Sequence, residues 1–138
     1  MKKILLLSVL TFFIFACSKQ TKSEVKINPS DSTKIQFSET SFNFGTLKQG
    51  EKVEHTFIFK NIGKEPLVIS EVHTSCGCTV ADYTEKPVNP GSQGYVKVTF
   101  NSAGKHGQQF KTIIIKANTK PEKTMLVITG TVDTTSEN

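Results

Sequence analysis

The chain has 138 residues, 36% of them hydrophobic, with 17 basic against 12 acidic side chains, which is material for one ordinary domain. Every basic residue is a lysine. Without arginine there are no bidentate guanidinium forks for phosphate or guanine, so nucleic acid is not an expected partner.

Lys2 and Lys3 open the chain with positive charge, and Ile4 to Phe15 is apolar apart from Ser8 and Thr11. That stretch is shorter than the ~20 residues a membrane-spanning helix needs, and it suits the apolar region of an export signal peptide over residues 1–16. It ends in Ile14-Phe15-Ala16-Cys17, which resembles a bacterial lipobox: an aliphatic residue, then a small one, directly before Cys. The resemblance implies that Cys17 is acylated on sulfur, becomes the mature N-terminus and anchors the protein in membrane lipid. Several acyl chains on one residue give the durable hold that one chain does not. Plain secretion with ordinary cleavage is the alternative. Ser18-Lys19-Gln20 carries no Asp at the position that retains a lipoprotein in the inner membrane. The expected location is therefore the cell envelope, at the outer membrane and facing the periplasm.

Ser18 to Thr33 is polar, short of large apolar residues, and interrupted by Pro29. It cannot bury enough surface to order itself, so 17–33 is expected to be a lipidated cysteine followed by a flexible tether with a reach of roughly 20–25 Å. Residues 133–138 are equally polar and are expected to fray. Asp31-Ser32-Thr33 and Asp133-Thr134-Thr135 are similar to an O-glycosylation sequon of exported Gram-negative proteins, which marks Ser32 and Thr134; ordinary polar composition is the blander reading.

The folded unit is then 34–132, and its hydrophobic period is two. Val53, His55, Phe57 and Phe59 alternate with polar positions, as do Val96, Val98 and Phe100, and Leu126, Ile128, Gly130 and Val132. Further β-rich runs are Lys34–Phe37, Phe42–Gly45, Leu67–Val72 and Phe110–Ala117, with Gly, Asn and Pro turns between them. No window makes an amphipathic helix. Seven short strands in ~100 residues predict an all-β, seven-stranded immunoglobulin-like β-sandwich. Its core is expected to come from Phe, ten of the twelve aromatic residues.

Several blocks in order carry a family resemblance: Phe42-Asn43-Phe44-Gly45-Thr46-Leu47, then Gly50-Glu51, His55 to Gly63, Glu65-Pro66-Leu67-Val68-Ile69, Ser75-Cys76-Gly77-Cys78-Thr79, and Asn89-Pro90-Gly91. Over roughly Phe37 to Val132 the chain resembles domain-of-unknown-function family 1573, related to Hydin-type and major-sperm-protein-type domains. The resemblance implies an exported or lipid-anchored immunoglobulin-like sandwich with no established enzymatic activity.

Cys76-Gly77-Cys78 is the one constellation with chemistry. Residues two apart in an extended chain face the same side, so both sulfurs can converge, and Gly77 permits a positive φ that would tighten a turn. Three readings stay open. The pair can form a local disulfide, as exported cysteines often do. So short a loop restrains the unfolded chain little, which makes such a bridge a redox element more than a staple. It can hold a soft ion such as Cu(I), with His73 as a third ligand. Or the thiols are inert and simply fit a tight transition.

Other candidates lead nowhere chemical. His55 shares the phase of Val53 and Phe57, which suits a packed residue better than a base; His106 lies in a glycine-flanked turn. Gly91-Ser92-Gln93-Gly94 is no nucleophile elbow, and metal, phosphate and dinucleotide motifs are missing. The expected function is a non-enzymatic binding or scaffolding module, whose sheet edges can pair with an extended segment of an envelope protein. Lys97, Lys111 and Lys116 are candidate guards against such pairing. The alternative is Cu(I) binding or thiol redox work at Cys76 and Cys78.

Overall fold

The computed structural model describes residues 32–134. The expected signal segment, Cys17 and most of the expected tether and tail lie outside the described residues. Eight strands follow one another: β1 (Ile35–Phe37), β2 (Ser41–Lys48), β3 (Lys52–Asn61), β4 (Ile69–Thr74), β5 (Thr79–Tyr83), β6 (Gln93–Asn101), β7 (Gly107–Ala117) and β8 (Lys123–Asp133). They form two four-stranded sheets, ordered β1-β3-β6-β5 and β2-β8-β7-β4. All pairings are antiparallel except that of β2 with β8.

The two-sheet all-β architecture is as expected; the strand count is not. The additional strand is β5, which immediately follows the cysteine pair. Its inward positions are Thr79, Ala81 and Tyr83, too small or too polar to read as a hydrophobic alternation. Leu67 also stands outside β4, in an isolated bridge to Val88.

Period-two alternation carries the core. Phe57 and Phe59 of β3, Val96, Val98 and Phe100 of β6, Ile113 and Ile115 of β7 and Leu126 of β8 are all buried. Burying each such side chain is worth roughly 1.5–3 kcal/mol. Two glycines are shaped by this packing. A Cβ on Gly94 would run into the ring of Phe59, and one on Gly130 into the ring of Phe44. Glycine at these sites lets an aromatic ring lie directly on the neighbouring strand.

Both ends of the folded unit lie one residue beyond the expected limits. Thr33, assigned to the tether, is only 3% exposed; it bridges Thr119 and donates its N–H to Asn118 O at 2.8 Å. Asp133, assigned to the tail, is the last residue of β8 and pairs with Lys48. In each case backbone bonding to the sandwich outweighs local polarity.

Candidate functional site

Cys76 and Cys78 are joined in a disulfide with Cα atoms 5.3 Å apart. The bridge lies in the connection that leaves β4 in one sheet and enters β5 in the other. Hydrogen bonds hold that connection at both ends. Ser75 N–H donates to Thr112 O at 3.0 Å, and Thr112 N–H returns a bond to Ser75 Oγ at 3.1 Å. Thr74 Oγ1 donates to the carbonyls of Cys76 and Thr79, at 3.3 and 3.0 Å. Thr79 N–H donates to Cys76 O at 3.1 Å, and Asn101 N–H to Cys78 O at 2.9 Å. The disulfide thus sits at the head of β5 and helps to set where that strand begins.

Gly77 does not take the positive φ that would tighten a turn; the position of its missing Cβ faces open space. It opens a depression of about 560 Å³ on the outer surface of the β1-β3-β6-β5 sheet, lined by Gly77 and Cys78 together with Lys52, Thr99, Asn101 and Lys105. Lys52 stands there because it is in register with Asn101 across β3 and β6. Lys105 arrives from the turn after β6, where its N–H donates to Ser102 O at 2.9 Å. Both sulfurs belong to half-buried residues, and Cys78 also packs against the core.

His73 does not join this site. It lies on the other sheet, opposite Ile114 in the β4–β7 register, in a hollow with Glu71, Lys116 and Lys123. Among the described residues no three of His, Cys, Asp and Glu stand close enough together to hold a metal. In the disulfide, moreover, neither sulfur is the thiolate that Cu(I) would bind. His55 is packed: its ring stacks on Phe42 with centroids 3.7 Å apart, meets Phe57 edge-on, and bonds Glu39 Oε1 at 2.9 Å. His106 is exposed in its turn, and Ser32 and Thr134 are exposed at the two ends of the described chain.

Neither Lys52 nor Lys105 stands out in the sequence, and β5 has no apolar alternation to mark it. Only the position of Thr79 directly after Cys78 hints that a strand starts there.

The protein-family model for DUF1573, described as a protein of unknown function, matches residues 35–132. The chain belongs to this family. Among curated proteins there is no match. A protein of unknown function from Porphyromonas gingivalis W83 has a similar structure, with a TM-score of 0.65 and 17% identity over 77% of this chain; the match spans half of that protein. The ASH / PapD-like domain 7 of human CEP192 is similar with a TM-score of 0.57 and 14% identity, over 82% of this chain and 94% of that one. The Vibrio cholerae protease VesB is similar over 76% of this chain but only 32% of its own, with a TM-score of 0.55 and 15% identity. At these identities the likenesses concern the fold alone.

Proposed function

We propose that this DUF1573 protein is a non-enzymatic binding module of the cell envelope, held at the outer membrane by an acylated Cys17 and facing the periplasm. It takes an extended segment of an envelope protein as an added strand beside β5. The state of the sheet edges carries this reading. β1 has three residues, and β2 and β4 are each broken by a register shift, all features that blunt an edge. β5 keeps five unbroken pairs with β6.

The phase of that ladder follows from its two flanking bonds, Asn101 N–H to Cys78 O and Thr84 N–H to Tyr95 O. They turn the backbone groups of Val80 and Asp82 toward β6 and those of Ala81 and Tyr83 toward the open side. The candidate guard lysines do not stand in the way: Lys97 lies on β6, and Lys111 and Lys116 on β7, each an inner strand. The non-enzymatic part of the reading rests on the sequence, which carries no nucleophile elbow and no metal, phosphate or dinucleotide motif.

Ala81→Pro tests it. Proline there removes a donor aimed at the partner and spares every bond to β6. A pull-down from solubilised envelope should retain a partner on the wild-type chain and lose it on Ala81→Pro. Equal retention by a fully folded variant contradicts the reading.

A further inference from the structure

The geometry points to a thiol-exchange site at Cys78, built to receive small thiols that carry a negative charge. The two sulfurs are not equivalent. Cys78 lines the depression beside Lys52 and Lys105, and Cys76 does not. Cys76 Sγ instead lies 3.5 Å from Thr79 Oγ1, a hydroxyl on a buried residue. An incoming thiolate therefore meets Cys78 Sγ, and the sulfur that leaves is the one with a hydroxyl placed to donate to it. The step balances as an exchange. A thiolate bonds to Cys78 Sγ, the Cys76–Cys78 bond breaks, and its electron pair departs on Cys76 as a thiolate. A second thiol releases the first as an external disulfide and leaves the protein as a dithiol.

Charge selects the thiol. Lys52 and Lys105 have no carboxylate within ion-pair distance among the described residues. Of the acids on and beside this strand, Glu54 accepts from Thr99 Oγ1 at 3.3 Å and is balanced by Lys97 Nζ at 3.7 Å, and Glu51 Oε2 accepts from Lys48 N–H at 2.8 Å. The depression therefore presents two lysine charges in the same lining as a sulfur target. In partly screened surroundings two such charges favour an anion over a cation by roughly threefold to tenfold.

The test uses the full chain, exported to a periplasm and purified without reductant. Opening of the disulfide is timed with 2-mercaptoethanesulfonate, which is anionic, and with cysteamine, which is cationic, at equal thiolate concentration. Free thiols are then trapped with N-ethylmaleimide, and the adduct is located by fragmentation across Gly77. The expected result is a threefold to tenfold preference for the sulfonate, with the adduct on Cys78 and maleimide on Cys76. In the Lys52→Gln, Lys105→Gln double variant that preference disappears while the disulfide still opens. An adduct on Cys76, or a preference that survives loss of both lysines, overturns the proposal. Neither outcome bears on partner binding at β5, so the two readings stand or fall separately.

Discussion

Thr33 Oγ1 donates a 2.9 Å hydrogen bond to Asn61 Oδ1, across 28 residues of chain, and both partners are buried. Asn61 uses every bond its amide can make. Its Nδ2 donates to Glu65 O at 2.7 Å and Val88 O at 2.8 Å, while Oδ1 also accepts from Gly63 N–H at 3.0 Å. One side chain therefore ties the start of the domain, the turn after β3 and the segment before β6 together. Replacing it by leucine keeps the size and strands several buried polar groups, each of which costs about 1–3 kcal/mol when left unpaired. Asn61→Leu is expected to lower stability by about 3 kcal/mol in urea unfolding, and a loss under 1 kcal/mol would show the network to be dispensable.

Gly94→Ala and Gly130→Ala should both destabilise, in a definite order. The Cβ at Gly94 meets Phe59, which is fully buried and hemmed in by Phe37. The Cβ at Gly130 meets Phe44, which is only partly buried. Overpacking costs about 1–3 kcal/mol, so Gly94→Ala belongs at the upper end and Gly130→Ala at the lower. The reverse order by thermal unfolding would contradict this packing.

Much of the sandwich is legible in the sequence because its inner strands obey one rule. Phe57 and Phe59, Val96 to Phe100, and Leu126 to Val132 alternate in and out with no exception that packing does not explain; Gly130 sits inward because Phe44 fills its place. β5 escapes the rule, since Thr79, Ala81 and Tyr83 face inward without forming an apolar pattern. The cysteines declare themselves as a pair, but spacing alone leaves disulfide, metal and inert readings open. Lys52 and Lys105 come into the depression beside Cys78 only through the β3–β6 register and the turn after β6, and no local pattern encodes either. For the same reason the place of Lys97, Lys111 and Lys116 on inner strands follows from strand order, which composition does not express.

Removing the disulfide should loosen β5 before it unfolds the domain. A bridge that closes so short a loop restrains the unfolded chain by only about 1.5 kcal/mol. Cys76→Ser, Cys78→Ser is thus expected to cost about that much globally. Hydrogen exchange should accelerate at the Val80 and Asp82 amides, which bond β6, and stay slow at Phe57 and Val98 in the core. Uniform acceleration across both sheets would mean that the bridge supports the whole sandwich.

Thr79→Val separates the leaving-group role of the hydroxyl from its bulk. Valine fills the same buried space without a donor for Cys76. The variant should keep its fold and open its disulfide several-fold more slowly with a small thiol, and Thr79→Ser should restore the rate. If valine and threonine react alike, the 3.5 Å contact between Thr79 Oγ1 and Cys76 Sγ has no part in the exchange.

The edge of β5 is the centre of the account, and Ala81→Pro against Asp82→Pro is its most direct measurement. Proline at Ala81 removes a donor on the open side of the sheet; at Asp82 it removes one that bonds β6. The account predicts that Ala81→Pro unfolds near the wild-type midpoint yet captures no partner from solubilised envelope, while Asp82→Pro loses stability as well. A stable Ala81→Pro chain that captures the same partner as wild type would contradict it.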